Sequence, residues 1–257
     1  MTDAGNIRAV EQLGVDLVGM IFCPSSPRFV TMVPSVIGFM PDYSVERLAS
    51  LQAGPAGAAP AAAAMVNSAA GVAPTTAAMA NSAAVTASAE TAEARSAARV
   101  GVFVNATPQN IITHVYNFGL DYVQLHGHES REACENLRRT IDPDIRPGIR
   151  IIKAVPVSCA EDVDRWRLYE GAVDMFLFDT ACAGGGGSGR HFDWSLLCRY
   201  DGDTPFLLSG GIGPGDVADV RSFSHDRCIG IDVNSRFEKA PGVKDIDKLK
   251  TFIEAIK

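Results

Sequence analysis

The stretch Met175–Gly189, M-F-L-F-D-T-A-C-A-G-G-G-G-S-G, decides how the rest of the chain is read. Four apolar residues, Met175 to Phe178, run into a carboxylate, Asp179, and a glycine-rich loop follows from Gly184 to Gly189. A short apolar run bounded by glycine reads as a buried strand. Asp179 then falls at the carboxyl end of that strand, beside a loop rich in exposed backbone N–H groups. In parallel α/β folds this is the end where ligands bind.

The same unit repeats outward in both directions. Toward the C-terminus, Phe206–Ser209 is a strand running into Gly210-Gly211, and Cys228–Val233 is another, followed by Asn234-Ser235. Helices at Asp193–Arg199, Pro214–Phe223 and Asp245–Ile256 separate and close them. Toward the N-terminus, strands are expected at Asp16–Phe22, Val100–Val104, Tyr122–Leu125 and Ile149–Val155. Helices are expected after Thr2 or Asp3, at Ser35–Met40, Pro108–Asn117, Arg131–Thr140 and Ala160–Tyr169. The result is seven strands and about eight helices in alternation. Such alternation implies parallel strands with right-handed crossovers. Eight units close a (β/α)8 (TIM) barrel; here the count starts on a helix, so the barrel is one strand short at the N-terminus. The alternative, an open doubly wound sheet, carries a G-x-G-x-x-G turn after its first strand, and none stands there.

One segment breaks the pattern. Nearly half of residues 49–98 are alanine, with the near-repeats A-A-M-V-N-S-A-A at Ala63–Ala70 and A-A-M-A-N-S-A-A at Ala77–Ala84. With so few large apolar residues to bury, it is expected to be a mobile insertion between the second helix and the third barrel strand. The chain, 1–257, is thus read as a single barrel domain, and limited proteolysis is expected to cut first within Ala49–Ala98.

The formal charge of −7 argues against nucleic acid or an anionic membrane as partner, and no apolar run approaches a bilayer span. The six cysteines are scattered, with no C-x-x-C pair and no metal-ligand spacing. They are read as reduced thiols of a cytoplasmic protein, most of them small core residues, and no metal or cofactor is expected. His114 and His225 are read as surface residues.

The strand ends leave paired readings. Three glycine-bearing or polar ends, Gly184–Gly189, Gly210-Gly211 and Asn234-Ser235, either cradle a phosphate or merely make tight βα turns. Asp179 is a general acid or base, or a structural cap. Arg28, in C-P-S-S-P-R-F-V, clamps a substrate carboxylate or forms a surface ion pair. His126 binds substrate or caps its strand. Cys23 follows a strand and precedes a rigid proline; its thiol either faces the ligand side or is a buried or bystander thiol, the favoured reading.

Taken together, S-P-R-F-V, R-V-G-V-F-V-N, Y-V-Q-L-H-G-H-E, F-L-F-D-T before G-G-S-G-R-H-F-D-W, L-S-G-G-I, and G-I-D-V-N-S-R-F-E-K-A-P-G-V-K-D resemble the phosphoribosylanthranilate isomerase family. The likeness runs in order from Thr2 to the C-terminus and skips only the alanine-rich stretch. It implies an Amadori rearrangement without metal or cofactor. N-(5-phosphoribosyl)anthranilate becomes 1-(2-carboxyphenylamino)-1-deoxyribulose 5-phosphate, in tryptophan biosynthesis. It makes Asp179 the general acid and sets Arg28 against the anthranilate carboxylate. Gln124, His126 and Asp232 line or support the pocket. Gly187, Ser188, Gly189, Gly210, Gly211, Asn234 and Ser235 hold the phosphate. The only partner implied is this small phosphosugar, in a monomer or homodimer.

The family's first strand, of the form K-I-C-G-[IM]-T, carries the general-base cysteine, and no such segment stands before M-T-D-A-G-N. The favoured reading is an internal methionine taken as the start. Met1–Lys257 is then expected to bind but not to turn over until a strand ending in Cys-Gly is restored. The competing readings are a non-catalytic phosphosugar-binding barrel and an indole-glycerol-phosphate synthase-like lyase, for which Lys153 ends a strand but no matching glutamate is evident.

Overall fold

The computed structural model describes residues 1–35, 38–41, 97–181 and 191–257. Gly187, Ser188 and Gly189 lie outside them, as does the alanine-rich stretch up to residue 96. The last two residues assigned to that stretch belong to the fold: Ala97 is buried and Ala98 opens a strand.

Seven parallel strands form one sheet. They are β1 (Leu17–Ile21), β4 (Ala98–Phe103), β5 (Tyr122–Leu125), β6 (Arg150–Val157), β7 (Met175–Thr180), β8 (Phe206–Leu208) and β9 (Cys228–Ile231), paired in that order. All seven were legible as strands in the sequence. Among the described residues β1 and β9 each pair with one strand of the sheet. Beside β1, the Met1 backbone nitrogen donates to Gly19 O at 2.7 Å. Asn6 exchanges two hydrogen bonds, 2.9 and 2.7 Å, with the backbone of Lys244. Lys244 lies on a small hairpin after β9, β10 (Glu238–Ala240) with β11 (Val243–Lys244). The N-terminal residues therefore join one margin of the sheet to the segment leaving the other.

The helices begin where capping side chains stand. Asp3 accepts from Asn6 N to start α1 (Ala4–Glu11). Thr107 caps α2 (Pro108–Phe118), which has Pro108 in its first turn and stops at Gly119 with φ 57°. Ser130 caps α3 (Arg131–Ile141), and Asp245 caps the last helix, Ile246–Ile256.

Several expectations are corrected. Ser35–Met40 is not a helix: β2 (Met32–Ser35) and β3 (Gly38–Pro41) pair antiparallel. Six residues between Pro34 and Pro41 are too few to nucleate a helix, and proline is tolerated in a two-stranded edge. Ala160–Tyr169 is one α turn, α4 (Ala160–Val163), continued as a 3-10 helix, and Trp194–Arg199 is 3-10 throughout. His114 is buried, not superficial, stacked among Phe22, Phe103 and Phe118. Of the five described cysteines only Cys134 is buried, while Cys159 and Cys198 are exposed.

Side chains alternate across a strand, so the two sheet faces can be read by parity. Val123, Leu125, Ile151, Val155, Phe176, Phe178, Phe206 and Leu208 pack with the helices in the main core. Their neighbours Val100, Ile152, Ala154, Met175, Leu177 and Leu207 form a second cluster on the opposite, inner face. Continuing that parity past the carboxyl ends puts Gln124, His126, Asp179, Ser209 and Asp232 on the inner side.

Candidate active site

Parity alone brings five polar residues to the carboxyl ends of four strands, and the contacts agree. His126 Nε2 lies 3.3 Å from Asp179 Oδ2. The other ring nitrogen, Nδ1, lies 2.9 Å from Gln124 Nε2, so Gln124 fixes the ring. Asp179 is 26% exposed, open enough to meet a ligand and sheltered enough to hold its orientation. Ser209 Oγ donates to Asp232 Oδ2 at 3.0 Å. Removal from water raises the Asp232 pKa, and the nearby Asp179 charge raises it further, against the opposing pull of Lys244, Ser209 and His126.

The turns around this cluster are tight. Gly210 and Gly211 have φ of 96° and 70°, in the left-handed region that glycine occupies without strain. A Cβ on Gly210 would collide with Thr180 Oγ1, so the turn after β8 runs against the end of β7. Asn234 precedes a 3-10 turn, Ser235–Phe237. Its backbone O and Oδ1 accept from Lys244 Nζ at 3.0 and 2.9 Å. Of the three loops read as a phosphate cradle, two are thus described, and both adjoin the inner carboxylates.

Arg28 was open to two readings, and it does make an ion pair, though a sheltered one. Its Nε and Nη2 reach Glu238 Oε2 at 2.9 and 2.7 Å, with the two side chains 19% and 5% exposed. Sequence reasoning missed Glu238 and Lys244 because neither ends a strand of the sheet; the one signal was their place in F-E-K-A-P-G-V-K-D, next to Asn234-Ser235.

Lys153 has a glutamate after all. Its Nζ, 2% exposed, meets Glu129 Oε2 at 3.1 Å and also donates to Leu125 O and Gly127 O. By parity this pair faces the helices, away from Asp179, so it does not build the lysine–glutamate site of a lyase. Glu129 in turn accepts from the backbone N–H groups of Asn105 and Gly127. Among the described residues no group of His, Cys, Asp and Glu is arranged to hold a metal ion, and no helix is long and apolar enough to cross a membrane.

A parallel strand–helix barrel sheet with a carboxylate–histidine contact at its carboxyl ends defines a barrel enzyme whose chemistry sits on the βα loops. Comparison with known proteins narrows the class. A family profile described as N-(5'phosphoribosyl)anthranilate (PRA) isomerase matches residues 56–255. The N-(5'-phosphoribosyl)anthranilate isomerase of Phocaeicola vulgatus is 35% identical over 257 residues, covering 100% of this chain and 95% of its own. That of Parabacteroides distasonis is 53% identical over 158 residues, 62% of this chain and 68% of the relative. A crystal structure of phosphoribosyl anthranilate isomerase in complex with reduced 1-(o-carboxyphenylamino)-1-deoxyribulose 5-phosphate is similar with a TM-score of 0.63 at 26% identity, covering 100% of this chain and 94% of that one. The chain belongs to the phosphoribosylanthranilate isomerase family.

Proposed function

We propose that this chain serves the Amadori rearrangement of N-(5-phosphoribosyl)anthranilate to 1-(2-carboxyphenylamino)-1-deoxyribulose 5-phosphate in tryptophan biosynthesis, with Asp179 as general acid. The observation that carries the reading is Asp179 itself: a partly exposed carboxyl group on the inner face at the end of β7, within 3.3 Å of a histidine ring that Gln124 orients. Its protonated carboxyl delivers a proton to the furanose ring oxygen. The ring C–O bond breaks, and the nitrogen lone pair forms the Schiff base. Loss of the C2′ proton to a base then gives the enolamine, which tautomerises to the ketone. His126 holds the acid in place, and Asp232 with Ser209 supports the sugar side of the pocket.

The two anionic ends of the substrate have separate supports in this reading. Gly210-Gly211 and Asn234-Ser235, together with Gly187–Gly189, take the phosphate through backbone N–H groups, and Arg28 faces the carboxylate. The test separates binding from chemistry. The Asp179→Asn protein should bind the reduced product analogue nearly as tightly as the parent in calorimetry. Placed in a chain carrying a preceding strand that ends in Cys-Gly, the same substitution should lower the isomerase rate with freshly prepared substrate by about 10²-fold or more, the usual size of a general-acid contribution. Unchanged turnover in that variant would reject the acid assignment.

A further inference from the structure

We propose that Glu238 is a positioning residue: it fixes which edge of the Arg28 guanidinium is offered to a substrate carboxylate, and so sets the enzyme's preference for a carboxylated arylamine. The proposal rests on the reading of Arg28 given above and adds a residue to which no role has been given.

A guanidinium is planar and presents donors along two edges able to grip a carboxylate in bidentate fashion. Glu238 occupies one of them. Arg28 Nε lies 3.0 and 2.9 Å from its two oxygens, and Nη2 lies 2.7 Å from Oε2. With the Nε/Nη2 edge held, the plane of the group is fixed and the Nη1/Nη2 edge is the one left to meet a ligand.

Glu238 is itself anchored. Oε1 accepts from Gly242 N at 3.1 Å and lies 3.7 Å from Lys244 Nζ. Burial alone would raise its pKa, but the Arg28 hydrogen bonds and the Lys244 and Arg28 charges outweigh that and hold it down, so it stays a carboxylate at neutral pH.

The same turn reaches the other end of the site. Only the 3-10 turn Ser235–Phe237 separates Asn234 from Glu238, and Phe237 in it is fully buried, its ring 4.8 Å from that of Phe252. Lys244 Nζ, near Glu238, donates to Val233 O, Asn234 O and Asn234 Oδ1. One rigid turn therefore carries the orienting partner of Arg28 and the Asn234-Ser235 loop. It fixes the spacing between the groups that would recognise the two anions of a phosphorylated, carboxylated arylamine.

The experiment reads a ratio and needs no turnover. Calorimetry gives Kd for two probes: the reduced product analogue, and the same compound built from aniline, which lacks the carboxylate. The parent protein should prefer the carboxylated probe, and Arg28→Ala should erase the preference. If Arg28→Ala leaves it intact, the reading of Arg28 fails. If Arg28→Ala erases it, Glu238 is judged on its own variants. Glu238→Gln should shrink the ratio by roughly tenfold, about 1.4 kcal/mol, while the aniline probe binds as before. An unchanged ratio overturns the proposal, and so does a widened one, which would make Glu238 a competitor for Arg28. Glu238→Asp keeps the charge but shortens the reach, and is expected to narrow the ratio too. Should the glutamine protein fail to fold, an unchanged ratio in the aspartate protein overturns the proposal alone.

Discussion

Asp232 sits where burial and a neighbouring carboxylate both work against its ionised form. Its pKa is raised from its ordinary value by desolvation and by Asp179. The folded chain therefore holds that proton more tightly than the unfolded chain does. The sign follows by linkage: as pH rises through the raised pKa, an ionised Asp232 weighs against the folded state. Asp232→Asn, which can still accept from Ser209 Oγ, should raise the melting temperature at pH 7. The gain should shrink as pH falls toward the carboxylate range, and the price is weaker binding of the reduced product analogue, as at many functional sites. A melting temperature that drops at pH 7 would contradict the electrostatic account. Asp179 and His126 could be picked out beforehand because each ends an apolar run, and in a parallel sheet that places them at the ligand side; Asp232 came only with the family resemblance. Arg28 and Glu238 could not be paired in advance, since they stand 210 residues apart in sequence.

At the scale of elements, α2 shows how helix packing sets a pH response. The helix turns Ile111, Val115 and Phe118 to the core, and His114 lies on the same side, its Nδ1 2.7 Å from Asn110 O. Burial lowers the His114 pKa below its ordinary 6.5, with the Asn110 carbonyl pulling weakly the other way. The unfolded chain then takes up a proton before the folded one. Stability on this account is level above about pH 6.5 and falls as pH drops from there toward the lowered value. Melts of the parent and of His114→Phe between pH 8 and pH 5 should diverge only at the acid end; parallel curves would show that the ring is not the sensor. The histidine was misread as superficial because Thr-His-Val-Tyr looks polar in isolation, whereas its spacing of three residues from Ile111 and four from Phe118 decides its face. Length misled in a similar way at Ser35–Met40, where two flanking prolines favoured a short hairpin over a single helical turn.

For the whole molecule, the period of the sequence was sufficient to recover the sheet: each of the seven strands was read from a short, mostly apolar run. What sequence reading could not supply is how distant segments close on each other. Asn6 is the clearest case, since its side chain both donates to and accepts from the backbone of Lys244, 238 residues away. Replacing it with leucine would leave a backbone N–H and a carbonyl without those partners, each a loss of about 1–3 kcal/mol if no water takes its place. Asn6→Leu should lower the melting temperature by several degrees with little change in secondary structure by circular dichroism. An unshifted melt would mean that this link between the chain's first helix and last hairpin contributes nothing.

The buried Glu129–Lys153 pair has a consequence for how the rim of the site breathes. Loop amides in most barrels trade their hydrogens with solvent quickly, because opening them disturbs little else. Here the amides of Asn105 and Gly127 donate to Glu129, whose other contact is a lysine ammonium only 2% exposed. Releasing either amide means uncovering a paired charge in the layer between sheet and helices. Measured by mass spectrometry or NMR in deuterated water, these two positions should exchange on the timescale of the strands beside them, and Lys153→Met should speed both together. The margin of the pocket at these two turns would then share the slow fluctuations of the interior.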